Sequence, residues 1–211
     1  MSPLKIGIAG YMGAGKSSCI KLLELPSLLS LNADQIAKSL MLESTEIKLE
    51  LKKTFGENVC PDQSIDFTLL GSIVFNSPVA LKKLNTIVHP PLLQHLYHHM
   101  TKSYAPAIRC VLLDAALIPL WKIEPWFDLL IWVDAPTELR LERLFKRSQG
   151  VLSKNDLQKR ITEQETLFKK SNGYMWIDIL NNGSIDDLKS KCTHVKELLE
   201  AKISASSQPQ P

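Results

Sequence analysis

The chain has little of what would place it outside the ordinary globular enzymes. No apolar run approaches membrane-spanning length, and the apolar start is broken by Lys5, so neither a membrane anchor nor a secretory leader is expected, and a cytoplasmic protein is. Cysteines number only four, Cys19, Cys60, Cys110 and Cys192, scattered with no pair at metal-ligand spacing, which reads as reduced packing residues. Neither sign of charge is in excess: 25 Lys and Arg against 22 Asp and Glu leave +3, too mild to argue for nucleic acid. Internal repeats do not appear, and an Asn-Lys-x-Asp guanine reader is missing, which disfavours a GTPase switch. His95, His98 and His99 lie close together, but no acid or thiol stands near them in sequence, so they read as packing or a solvated face.

Against that plain background one stretch stands out, Gly10 to Ser17, reading GYMGAGKS. Gly, four residues, Gly, Lys, Ser is the spacing of a phosphate-binding loop. Gly10, Gly13 and Gly15 let the backbone curl so that amide N–H groups face phosphate oxygens. Lys16 supplies a point charge for the β and γ phosphates, Ser17 a hydroxyl for Mg²⁺, and the helix that follows presents its positive end to the same anion. The context agrees, because Leu4 to Ala9 reads as a buried parallel strand and Ser18 to Leu25 as a helix. A glycine-rich turn in some other α/β protein is the bland alternative.

At 211 residues with 45% hydrophobic, the chain suits one α/β domain carrying an appended subdomain. Pro26 is expected to end the first helix, and Leu28 to Leu31 to form a strand delivering Asn32-Ala33-Asp34 at the ligand-binding edge of the sheet. Gln35 to Phe55 has helical spacing, Asp66 caps a further helix, and a helix from Pro78 to Met100 is expected to break or kink at His89-Pro90-Pro91. Arg109–Asp114 and Leu129–Asp134 read as strands, each ending in an acid. Asp114 is the choice for the metal, while Asp134, ahead of Ala135-Pro136-Thr137, reads as a helix cap. Pro136 to Arg147 is a helix with Arg140, Arg143 and Arg147 on one face, and a second basic helix starts at Ser153 or Asn155. This hairpin reads as a lid, or as a solvated face partnered by Glu138, Glu142 and Glu165. A strand over 176–180, a helix over 185–201 and a disordered tail complete the chain. Trp121 and Trp126 read as core.

The segments GYMGAGKSS, NADQIAKSL, FGENV, IVFNSPVALKKLNTIVHP, VLLDAALI, ELRLERLFKRS and IDILNNGS, taken in order, closely resemble the dephospho-coenzyme A kinases along nearly the whole chain. The resemblance implies transfer of the γ-phosphoryl of ATP, with Mg²⁺, to the ribose 3′-hydroxyl of dephospho-coenzyme A, the last step of coenzyme A synthesis. It implies an α/β P-loop kinase three-layer fold with a parallel central sheet, divided into a nucleotide-binding core (1–34, 106–135, 174–204), a helical acceptor-binding insertion (35–105), a helical lid (136–173) and a disordered tail (205–211). Asp34 matches the second acid of the family's Asp-Ala-Asp and would take the acceptor proton; Lys16 and Arg143 would act with it. ATP would be held by Gly10, Tyr11, Met12, Gly13, Ala14, Gly15, Lys16, Ser17, Ser18 and Arg147. The acceptor would be held by Asp34, Lys38, His89, Asp114 and Arg140, and the metal by Ser17 and Asp114. A monomer is expected, with no nucleic acid or membrane as partner. Departures from the family are Tyr11 for a glycine, Asn32 for the first acid, Lys38 for an arginine, Leu120 for an acid and Ser148 for an aspartate. A kinase of the same fold acting on another hydroxyl, or a nucleotide-binding regulator without catalysis, stays open.

Overall fold

The computed structural model describes residues 2–23, 25 and 27–205. Its elements, in chain order, begin with β1 (Leu4–Ala9), α1 (Lys16–Leu23), β2 (Leu28–Asn32), α2 (Ala33–Glu43), α3 (Thr45–Phe55), α4 (Phe67–Phe75) and α5 (Pro78–Thr101). They continue with β3 (Cys110–Asp114), α6 (Ile118–Trp121), β4 (Leu129–Asp134), α7 (Thr137–Ser148), α8 (Lys154–Leu167), β5 (Trp176–Leu180) and α9 (Ile185–Ala205). The chain forms two compact units, Met1–Leu31 with Ser103–Pro211, and Asn32–Lys102. The expected helix-ending role of Pro26 and the tail from Ser206 fall outside the described residues; Ser204 and Ala205 continue α9.

The first unit is built on a five-stranded parallel sheet in the order β2-β3-β1-β4-β5. Its strands are apolar runs because both faces are covered. Ile6, Ile8, Ile131, Val133 and Ile179 pack beneath α1 and α9 in one cluster with Leu23, Leu188 and Leu199. Cys19 and Cys192 meet there with their sulfurs 3.1 Å apart. The hydrogen bond between them, and burial after it, push the Cys19 thiol up, so it stays protonated at neutral pH. β3 and β4 flank β1 with Ile8 opposite Asp114 and Ala9 opposite Trp132. The carboxyl ends of β1, β3 and β4 therefore gather around the point where strand order reverses, the place such sheets bind ligands.

The second unit is helical, closed around Met41, Ile47, Leu51, Val59, Leu70, Val74 and Val88. The helical spacing over 35–55 resolves into two helices, because Ser44 takes an extended backbone and its hydroxyl accepts the Ile47 N–H at 3.2 Å, capping α3. Asp66 caps α4 by accepting from Thr68 and Leu69. Of the break or kink expected at His89-Pro90-Pro91, the break does not occur: α5 runs as one helix of 24 residues through both prolines. Each proline removes one donor, at a cost of about 3 kcal/mol in a helix interior. Val88, Leu92, Leu96 and Met100, four residues apart and all buried, hold the helix to its neighbours and outweigh that loss.

Candidate active site

The phosphate loop leaves β1 at Gly10 and enters α1 at Lys16. Its curl is closed by the Ala14 N–H donating to Tyr11 O at 3.2 Å and the Cys19 N–H to Gly15 O at 3.0 Å. Two glycines are required for space as well as conformation. Gly13, at φ 76°, would bring a Cβ within 2.8 Å of the Arg140 carbonyl oxygen on α7, and Gly15, at φ 104°, within 2.2 Å of Asn181 Nδ2. Lys16 folds back over the loop and donates to Gly10 O at 2.9 Å. Ser17 and Ser18 are exposed at the start of α1, where helix amides are unpaired and the helix dipole favours an anion.

Around the loop stands a set of polar contacts from α7, α8 and the turn after β5. The Met12 N–H donates to Gln164 Oε1 at 2.7 Å. Arg143 Nη1 donates to Gly13 O at 3.4 Å, and its Nη2 to the backbone oxygen and Oδ1 of Asn181 at 3.1 and 3.2 Å. Asn181 returns a hydrogen bond from Nδ2 to Ala14 O at 2.8 Å. Arg140 is not on a solvated face: it is 2% exposed, ion-paired to Glu165 and bonded to Thr137 Oγ1 at 3.0 Å. Its guanidinium lies over the Tyr11 ring, 5.0 Å from the centroid. Arg147, further along α7, is exposed.

Tyr11 is accommodated by an aromatic cluster. Its ring meets Trp132 edge-on at 5.2 Å and Phe168 at 5.6 Å, and Trp132 meets Trp176 at 5.6 Å. Burial first, then the charges of Asp134 and Glu165, push the Tyr11 phenol up, so it is a neutral donor, here to Phe168 O at 3.4 Å. Two clefts of about 420 and 500 Å³ open beside Tyr11 and Lys169. Their mixed charge singles out no ligand, since Lys170 is already held by both oxygens of Asp178 at 2.7 Å.

Asp114 ends β3, is 9% exposed and stands in register with Ile8, two residues before Gly10. Asp134 does not cap α7. The N-cap is Pro136, which has no side chain to cap with, and Asp134 Oδ1 instead accepts from the adjacent Ala135 N–H at 2.8 Å. The first unit holds Gly10 to Ser18, Asp114, Arg140, Arg143 and Arg147; of the arginines, Arg143 reaches the loop backbone and Arg140 the Tyr11 ring. Asp34, Lys38 and His89 lie in the second unit. Asp34 is not the end of a strand but the second residue of α2, exposed in its first turn, and Lys38 follows one turn on along the same face, with its ammonium 5.0 Å from the Phe67 ring centroid. Asn32 caps α2 by accepting the Gln35 N–H at 2.9 Å. An aspartate in that place would cap equally well, so this departure costs the helix nothing. His89 is half-buried in α5, and burial pulls its pKa down.

Asn181 and Gln164 carry contacts to the loop that sequence reading did not assign. The signals for Asn181 were its place just past a strand at the ligand-binding edge and inside the segment IDILNNGS, neither of which assigns it a contact. For Gln164 there was none, because a glutamine in a charged helix reads as surface.

The profile of the dephospho-CoA kinase family matches residues 4–187. A dephospho-CoA kinase of Streptomyces avermitilis is 36% identical over 79% of this chain and 80% of its own length. A protein of Thermus thermophilus described as TT1252 superposes with a TM-score of 0.67 at 27% identity, covering 94% of this chain and 99% of that one. Dephospho-CoA kinase from Campylobacter jejuni gives 0.54 at 25% identity, covering 92% and 96%. With the family profile spanning the sheet, the phosphate loop and the basic hairpin, the chain belongs to the dephospho-CoA kinase family.

Proposed function

We propose that the chain carries out the reaction of its family, ATP-dependent phosphorylation of dephospho-coenzyme A in coenzyme A synthesis, and that the oxygen phosphorylated is the ribose 3′-hydroxyl. The observation that carries the reading is an intact phosphate loop, held at Met12, Gly13 and Ala14 by side chains of Gln164, Arg143 and Asn181, inside a family match over residues 4–187.

The loop amides and Lys16 bind the phosphates of ATP, and the Lys16 charge neutralises the transferring phosphoryl. Arg143 steadies charge on the same group from α7, and Arg147 extends that cationic face. The donors present suit Mg²⁺, which takes oxygen ligands: the exposed Ser17 hydroxyl and the Asp114 carboxylate would hold it with the nucleotide's phosphates. Among the described residues no group of three His, Cys, Asp or Glu could hold a metal alone. When bound, the ion would offset charge on the phosphate oxygens. Asp34 orients the acceptor hydroxyl and takes its proton as the bond to phosphorus forms; because such transfer is loose, orientation counts for as much as basicity. Lys38 and His89 complete the acceptor set, while Arg140, buried against Tyr11 and paired with Glu165, braces the loop from α7.

The reading extends to a cytoplasmic monomer engaging neither nucleic acid nor membrane. The net charge of +3 offers little attraction to nucleic acid, and no described helix is long and apolar enough to cross a membrane. The test is incubation with MgATP and a panel of hydroxyl acceptors, with product masses read out and Lys16→Ala as control. Transfer to dephospho-coenzyme A, cut by several orders of magnitude in the control, is the expected result. Transfer only to another acceptor would replace this reading with a sister kinase, and nucleotide binding without transfer would replace it with a regulator.

A further inference from the structure

We infer that Asn181 is the positioning residue that sets the curl of the phosphate loop and the direction of Arg143 together. The inference rests on the reading of Gly10 to Ser17 as the ATP site. Asn181 is the first residue past β5 and is 6% exposed. Its own N–H is fixed to Asp134 O at 2.7 Å, which ties the turn after β5 to the end of β4. The side-chain amide is then used at both ends. Nδ2 faces an oxygen that can only accept, Ala14 O at 2.8 Å, and Oδ1 faces a nitrogen that can only donate, Arg143 Nη2 at 3.2 Å. That pairing fixes which way the amide points.

Each bond has a consequence for the phosphate site. In a trans peptide the carbonyl and the next N–H point in opposite directions, so holding Ala14 O against Asn181 turns the Gly15 N–H the other way, toward the phosphate side of the loop. The same contact explains Gly15 itself, because any Cβ there would sit 2.2 Å from the Asn181 nitrogen. The Arg143 guanidinium, held by Oδ1 and the backbone oxygen of Asn181, is brought to Gly13 O on the preceding peptide of the loop. One buried side chain therefore orders a donor of the loop and the cation that works beside it. Neither aspartate nor alanine can do both. Aspartate keeps an acceptor for Arg143 but sets a carboxylate oxygen against a carbonyl, and alanine loses both bonds.

The experiment uses the full chain in wild-type form and as Asn181→Asp, Asn181→Ala, Arg143→Ala and the double variant Asn181→Ala with Arg143→Ala. ATP affinity is measured directly by calorimetry, kcat and KM are measured for both substrates, and the folded fraction is taken from thermal melts. Asn181→Ala is expected to weaken ATP binding about tenfold and lower kcat about 10²-fold. Asn181→Asp is expected to raise the ATP KM about tenfold with less than a tenfold loss in kcat, since only the loop contact goes. In the double variant kcat should fall no further than about threefold below Arg143→Ala, because both changes remove one arrangement. Losses that match the folded fraction with unchanged ATP KM, or fully multiplicative losses in the double variant, would overturn the inference. If Asn181→Ala does not fold, the ATP KM of Asn181→Asp decides alone, and a wild-type value sinks the idea. Failure of the kinase reading looks different: the wild type then binds no ATP or transfers nothing, before any variant is compared.

Discussion

The backbone N–H of Met12 donates to Oε1 of Gln164 at 2.7 Å, so the phosphate loop is fastened to the second helix of the α7–α8 hairpin at the residue between Tyr11 and Gly13. A lid needs such a link if it is to respond to what the loop holds. If the hairpin closes over ATP only when the acceptor is also present, hydrogen exchange over residues 138–172 should slow with both ligands bound, and Gln164→Ala should weaken that protection. Exchange unchanged at saturating ligand would make the hairpin a fixed charged face.

The Arg140–Glu165 pair gives a stability prediction. Arg140 is 2% exposed, and its Nε and Nη1 have no hydrogen-bond partner, so Glu165 supplies most of its compensation. Breaking a fully buried pair costs about 3–5 kcal/mol; with the Glu165 side chain 36% exposed, solvent shares the work, and Glu165→Gln should cost about 1–3 kcal/mol by denaturant melt. Replacing both residues, as Arg140→Met with Glu165→Leu, should recover part of it. A Glu165→Gln protein as stable as wild type would show that the pair does not hold the hairpin.

His89 gives a pH prediction. Burial holds its folded pKa below the unfolded value of about 6.5, so above that pH both states are neutral and the shift contributes nothing. As pH falls below about 6.5 the unfolded chain takes up a proton that the folded one refuses, and stability declines until the folded pKa is reached. His99, also shifted down by burial first and by Lys102 next, acts in the same direction. Melting temperatures between pH 7.5 and 5 should therefore fall less for His89→Gln than for wild type. Parallel curves would show that His89 ionises as freely folded as unfolded.

Much of the fold was legible because its signals are local. Apolar runs bounded by acids mark β3 and β4, and the Gly-Lys-Ser spacing marks the loop, whatever surrounds them. What was not legible depends on contacts distant in sequence. Pro90 and Pro91 read as a break until Val88, Leu92 and Leu96 are seen buried on one side of α5. Ser44 read as one position in a helical pattern until its hydroxyl was found capping α3. Tyr11 read as a departure, and its ring has a place only because Trp132 and Phe168, over a hundred residues away, form a wall for it. Asn181 could be placed by its strand but not aimed.

In the proposed reaction Asp34 takes the acceptor proton. Asp34→Asn keeps shape and removes charge, so turnover should fall about 10²- to 10⁴-fold while ATP affinity stays near wild type. Retained turnover in Asp34→Asn, with Asp114→Asn inactive, would move the base to the other carboxylate.

The central claim is that the γ-phosphoryl of ATP reaches one oxygen, the ribose 3′-hydroxyl of dephospho-coenzyme A. The most direct measurement compares dephospho-coenzyme A with its 3′-deoxy analogue as acceptor for the wild-type protein and MgATP, following ADP formation and acceptor mass together. Dephospho-coenzyme A should gain one phosphoryl group per ADP formed and become a competent substrate for a coenzyme A-dependent enzyme, while the 3′-deoxy analogue should gain none. Phosphorylation of the 3′-deoxy analogue, or ADP formed with no change in the mass of dephospho-coenzyme A, would contradict the account.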